Sequence, residues 1–213
     1  MTHHLSNLLE RYPALLSIQK PLEEACDLLE NAFRNGGRLL LCGNGGSACD
    51  CEHIAGELMK SFVLARPLNE EARCALAAFG DDGTLADKLQ NGLPCLVLNG
   101  LPGLSSAFAN DADPAVTFAQ QAWVYARPGD VLLGITTSGS SRNVVLAAQA
   151  AKARGAKVIG LTGEKLGKLA PLCDVLINAP DTETYRIQEL HLPIYHTLCL
   201  ELEERFFGKE QNA

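Results

Sequence analysis

The sequence predicts an α/β fold: a single domain built as a three-layer sandwich, with a central, mainly five-stranded parallel sheet flanked by helices. Three observations predict it. The chain has 213 residues, 47% hydrophobic and 20% charged, which is enough to bury one full core and close to ordinary globular composition. Five short runs lack the polar alternation of half-exposed strands: 38–42 (RLLLC), 94–98 (PCLVL), 131–135 (VLLGI), 157–161 (KVIGL) and the weaker 174–178 (DVLIN). Strands of that kind bury both faces. Segments with helical spacing lie between them, and strands alternating with helices give a parallel sheet covered on both sides.

The chain opens on a helical segment over 5–35. Leu5, Leu8, Leu9 and Tyr12, then Leu22, Ala25, Cys26, Leu29 and Phe33, recur at helix spacing, with breaks expected near Pro13 and Pro21. Asn35-Gly36-Gly37 ends it. Further helices are predicted over 47–62, 114–126 and 141–154, with a short one near 165–171. A long amphipathic helix over about 183–207 contains Pro193. Residues 64–92 exceed what a parallel crossover needs. There Arg66-Pro67, a helical Glu70–Phe79, Gly80-Asp81-Asp82-Gly83 and another short helix intervene. They read as an insertion within the single domain 1–213, either a surface ornament or a flap beside the carboxyl ends of the strands.

Eighteen Lys and Arg against twenty-five Asp and Glu give a formal charge of −7. No basic excess is available to neutralise phosphates in bulk, so nucleic acid and anionic membrane are not expected partners. Met1-Thr2-His3-His4-Leu5 lacks the basic flank and apolar run of an export signal. No stretch approaches the ~18 apolar residues of a membrane span. A cytoplasmic location is expected. The eight cysteines are scattered, several within apolar runs, and Cys49-Asp50-Cys51 is no CxxC pair; reduced, mostly buried thiols are expected.

Four stretches carry chemistry. Cys42-Gly43-Asn44-Gly45-Gly46-Ser47 follows the first strand and opens a helix. Its glycines permit a tight turn and close backbone approach, and free N–H groups at the helix start favour an anion. Ser47 with Asp50 matches a capping box. No Gly-Lys-Ser/Thr follows, and no second strand ending in an acidic residue lies about 20 residues on, which speaks against nucleotide-binding loops. Thr136-Thr137-Ser138-Gly139-Ser140-Ser141 again joins a strand to a helix, and its hydroxyls suit phosphate oxygens. Two such loops at carboxyl strand ends converge on one crevice and favour a phosphorylated small molecule such as a sugar phosphate. His53 and Glu57 share a helix face at i,i+4. In the fourth stretch, Tyr185 to His196, Gln188 and His196 lie eight residues apart, about 80° around a helix and ~12 Å along it. That is far for one metal; Pro193 places a kink between them, and His191 competes as a ligand.

Taken jointly, these segments, with Ala109-Asn110-Asp111 after the second strand and Arg186-Ile187-Gln188-Glu189 before His196, resemble the sugar isomerase (SIS) family, and within it the bacterial phosphoheptose isomerases. Order and spacing match from about 36 to 205. The resemblance implies ketose–aldose isomerisation of sedoheptulose 7-phosphate. It implies a substrate site from Asn44, Gly45, Gly46, Ser47, Glu57, Asn110, Asp111, Thr136, Thr137, Ser138, Ser141 and Gln188. Zn²⁺, one per subunit, is implied on His53, Glu57, Gln188 and His196, with acid/base roles for Glu57 and His196. A homotetramer with active sites at subunit interfaces is implied as well. The departures are the long insertion, Thr136 for a usual Ser, and Ser61 where the nearer members carry an Arg. A non-catalytic SIS adaptor of the replication-initiator-associating kind, or a sugar-phosphate sensor, is the alternative. A pure scaffold has no need of His53, Glu57, Gln188 and His196 together.

Overall fold

In the computed structural model, which describes residues 2–208, five strands form one parallel sheet. They are β1 (Leu39–Gly43), β2 (Cys95–Val97), β3 (Val131–Thr136), β4 (Lys157–Thr162) and β5 (Val175–Asn178), in the order β2-β1-β3-β4-β5. Side chains alternate between two cores. In β1, Leu39 and Leu41 enter one core while Leu40 and Cys42 enter the other. Both faces are apolar because both are covered, which is why no polar alternation marks these strands. One layer holds α1 (His3–Arg11), a 3₁₀ turn (Pro13–Ile18), α2 (Gln19–Arg34), α3 (Gly46–Met59) and α8 (Thr184–Phe207). The opposite layer holds α6 (Thr117–Tyr125) and α7 (Arg142–Ala153).

The strand order places the site. From β1 the chain moves outward to β2, then crosses back to β3 on β1's other side, with Leu39 paired to Val131 and Gly43 to Ile135. Adjacent strands whose connections leave in opposite directions open a crevice at their carboxyl ends. The loops after β1 and β3 are the two that form it.

Several local expectations are corrected. Pro21 does not break a helix: it lies in the first turn of α2, where its missing N–H has no intrahelical partner to lose. The helix expected over 47–62 ends at Met59, and 114–126 divides into a 3₁₀ turn (Pro114–Val116) and α6. Near 165–171 only a 3₁₀ turn (Ala170–Leu172) forms. Ser47 makes no capping box, since the N-cap is Gly45 and Asp50 turns to Tyr195 instead. Pro193 leaves α8 continuous from Thr184 to Phe207. An unexpected helix, α5 (Pro102–Asp111), buries none of its residues, so it carries no apolar stripe to read.

The insertion is pinned at its base. Arg66 and Glu203, their side chains 0% and 1% exposed, pair at 2.7 Å. Pro67 bridges Gln90, and the N–H groups of Asn91 and Leu93 donate to the carbonyls of Arg66 and Leu58. Beyond that base the insertion is exposed: α4 (Glu70–Ala77) buries no residue, and Phe79 is fully open. All eight cysteines are free; Cys26, Cys42, Cys51 and Cys199 are buried, whereas Cys49 and Cys74 are exposed. Among the described residues no helix is long and apolar enough to cross a membrane.

Candidate active site

An open cleft of about 280 Å³ lies at the carboxyl ends of β1 and β3. Asn44, Gly45, Gly46 and Ser47 line it from the β1 loop, Thr136, Thr137 and Ser141 from the β3 loop, and Thr184 and Gln188 from α8. Three helices begin here: α3 at Gly46, α7 after its N-cap Ser141, and α8 at Thr184. Each helix start carries unpaired N–H groups and about half a positive charge, so the cleft attracts an anion without a basic side chain. Local chemistry fixes this shape. Gly45 holds φ +56°, which favours glycine, and a Cβ on Gly46 would lie 2.8 Å from Gln188 Nε2. The Thr136 hydroxyl bonds Ser141 Oγ (2.8 Å) and Ser138 Oγ (3.3 Å), and Asn44 and Asn143 exchange amide bonds of 2.9 and 2.8 Å across the two loops. Ser138 lines an adjoining hollow with Thr137, Thr184 and Lys165.

A second group lies seven residues along α3 from Gly46, about 10 Å at the helical rise. His53 Nε2 is 3.3 Å from Glu57 Oε1 and 3.5 Å from His196 Nε2. Lys60 Nζ holds the other Glu57 oxygen at 2.8 Å, and Glu57 is only 14% exposed. On the far side of the His53 ring, Nδ1 meets Tyr195 Oη at 3.0 Å, and that hydroxyl donates to Asp50 Oδ1 at 3.2 Å. Burial lowers the pKa of His196, with the neighbouring His53 acting in the same direction and Glu57 opposing it. Burial raises Asp50 against the bond from Tyr195, and burial together with Asp50 raises the Tyr195 phenol. Two imidazole nitrogens and a carboxylate are donor types that zinc takes. Among the described residues, however, no three His, Cys, Asp or Glu side chains form a closed metal-holding group. His53, Glu57 and His196 supply donors of these types without forming such a group.

A model of the SIS domain matches residues 3–78 and 72–163. The chain belongs to the SIS domain family. The phosphoheptose isomerase of Crocosphaera subtropica is 36% identical to it over 190 residues, 89% of this chain and 85% of its own length. That of Aneurinibacillus thermoaerophilus is 34% identical over 207 residues, 96% and 92% of the two chains. The solved phosphoheptose isomerase of Neisseria gonorrhoeae superposes with a TM-score of 0.74 at 31% identity, covering 94% of this chain and 95% of that one.

On this SIS scaffold the residues expected from sequence fall into three places. Asn44, Gly45, Gly46, Ser47, Thr136, Thr137, Ser141 and Gln188 share the cleft, with Ser138 beside it. His53, Glu57 and His196 meet in the second group, while Gln188 packs against Gly46. Asn110 and Asp111 are exposed at the end of α5, bonded to each other and absent from the cleft wall. His191 is no competitor for a metal: it is fully buried, with Nε2 on the Thr162 carbonyl, and burial lowers its pKa to about 4. The sequence reading missed Thr184, Asn143, Lys60, Asp50 and Tyr195. For Asp50 a signal existed, since Asp50, His53 and Glu57 stand at i, i+3 and i+7 on one helix face. For Thr184 and Asn143 there was none, because their roles depend on which loops the sheet brings together.

Proposed function

We propose that this SIS-domain chain is a phosphosugar isomerase that interconverts sedoheptulose 7-phosphate and an aldose heptose 7-phosphate by proton transfer. The observation that carries the reading is the arrangement of two stations. An anion cleft made by three helix starts and a hydroxyl loop lies beside an imidazole–carboxylate group two turns further along α3 and α8. The phosphoheptose isomerases at 34–39% identity support the same substrate class.

The phosphate sits among the hydroxyls of Thr136, Thr137, Ser138 and Ser141 and the amides of the glycine loop, which also orient the sugar. Glu57 takes the C1 proton of the ketose, leaving an enediol between C1 and C2. His196 exchanges the oxygen protons: one is given to the C2 oxygen and one taken from the C1 hydroxyl. Glu57 then returns its proton at C2, which completes the aldose. Lys60 on the second carboxylate oxygen holds Glu57 turned toward His53. His53, Glu57 and His196 would hold Zn²⁺, which when bound supplies polarisation of the sugar oxygens, while Gln188, the fourth ligand expected from the resemblance, stays at the cleft. The reading also includes a single SIS domain over 1–213 with an N-terminal helical segment at 1–35 and an insertion at 64–92, a homotetramer with sites at subunit interfaces, and a cytoplasmic location.

Incubation of the protein with sedoheptulose 7-phosphate, with products followed by NMR, tests the reading. Appearance of the aldose heptose phosphate is expected. Binding without conversion would favour a sensor, and absence of binding would favour the adaptor; either result overturns the isomerase.

A further inference from the structure

We infer that Tyr195 and Asp50 are positioning residues for His53, fixing it as the tautomer with the proton on Nδ1 and the lone pair of Nε2 facing Glu57 and His196. This deepens the isomerase reading and rests on it for its catalytic meaning. Tyr195 has one hydroxyl proton and donates it to Asp50 Oδ1 at 3.2 Å. Toward His53 Nδ1, 3.0 Å away, its oxygen can then act only as an acceptor. Nδ1 must carry the proton, so in the neutral ring Nε2 is left bare. That bare nitrogen faces Glu57 Oε1 at 3.3 Å and His196 Nε2 at 3.5 Å, where its lone pair can accept a proton or hold a cation. A shared proton or a cation completes the group, and either needs Nε2 unprotonated at the start.

The geometry holds the ring as well as its proton. Tyr195 is 1% exposed. Its ring meets His53 edge-on, with centroids 5.5 Å apart and planes at 73°, and meets His196 at 5.1 Å and 89°. Asp50 stands one turn before His53 on α3, so a single helix supplies both the anchor and the residue anchored. Such outer partners set tautomer and ring direction wherever an imidazole must present one particular nitrogen.

The test is ¹⁵N NMR of full-length, chelator-treated protein labelled at histidine, at about pH 8, above the ordinary imidazole range near 6.5. The His53 signals are assigned by their loss in His53→Gln. Wild type is expected to show His53 protonated at Nδ1. In Tyr195→Phe, which keeps the buried ring, the Nδ1–H form should lose its dominance. In Asp50→Ala the freed phenol O–H should instead donate to Nδ1 as acceptor, giving the Nε2–H form, and this variant reads the same relay should Tyr195→Phe fail to fold. Zinc affinity should weaken about 10–100-fold in both, measured by competition with a chelating dye. A wild-type His53 protonated at Nε2, or a tautomer unchanged in the variants, overturns the inference. Failure of the wild type to convert the sugar, with the tautomer as described, would instead overturn the isomerase reading and leave the relay standing.

Discussion

Replacing Arg66 and Glu203, singly and together, tests how the insertion is tied to the proposed catalytic helix. Glu203 accepts the backbone N–H groups of Phe62, Val63 and Leu64 at 2.9–3.1 Å as well as the Arg66 guanidinium. Arg66 in turn donates to the carbonyls of Leu58 (2.8 Å) and Glu57 (3.2 Å), the last turn of α3. Burial alone would raise the Glu203 pKa, but the three N–H groups and Arg66 outweigh it and hold the carboxyl below its usual value. Removing one member of a buried pair costs about 3–5 kcal/mol. Arg66→Met leaves a carboxylate still held by three donors, so about 3 kcal/mol is expected. Glu203→Leu strands a guanidinium and also three N–H groups, each worth roughly 1–3 kcal/mol when orphaned, so its loss is larger, about 5 kcal/mol or more. The double variant buries no charge and should fall short of the sum by about 1.5–3 kcal/mol. Urea unfolding at one protein concentration, with unchanged slopes, gives these numbers. Costs below about 1 kcal/mol, a reversed order, or strict additivity would refute the reasoning.

Ser138→Ala with Ser141→Ala should weaken sedoheptulose 7-phosphate binding while leaving the fold intact, since each hydrogen bond to a charged group is worth roughly 1.5–3 kcal/mol; an unchanged calorimetric affinity would refute the phosphate placement. Zinc should copurify with the protein and be lost in His53→Ala, as read by elemental analysis of both proteins. Stability should fall as the pH drops through the window from 6.5 to about 4, because unfolded His191 takes up a proton that the buried imidazole refuses. That depression is worth about 3 kcal/mol at 1.36 kcal/mol per pH unit, and His191→Gln should remove this part of the slope in urea midpoints measured at several pH values.

The sheet was legible because its central strands β1, β3 and β4 bury both faces, and the runs at 38–42 and 131–135 match β1 and β3 to within a residue. The two loops could be assigned to one crevice for the same reason, since parallel strands put all their carboxyl ends on one edge. α5 was not legible. No residue of α5 is buried, so neither its helix nor the position of Asn110 and Asp111 at its end left a periodic trace. The separation of Gln188 from His196 was read correctly as a difficulty. In the structure α8 runs unbroken through Pro193, with Gln188 at the cleft and His196 at the carboxylate group. Tyr195 carries no signal of its own in the sequence, and its hydroxyl gains meaning only once α3 brings Asp50 and His53 beside it.

The central claim is that Glu57 moves a carbon-bound proton. Glu57→Gln keeps the size and hydrogen-bonding capacity of the side chain and removes the proton acceptor. Exchange of the C1 hydrogen of sedoheptulose 7-phosphate with solvent deuterium, followed by NMR beside turnover, measures the step directly. Wild type should exchange and convert the sugar, whereas Glu57→Gln should do both about 10²–10⁴-fold more slowly with phosphosugar affinity little changed. A Glu57→Gln protein that exchanges at the wild-type rate, or a wild type that binds the sugar and exchanges nothing, would contradict the account.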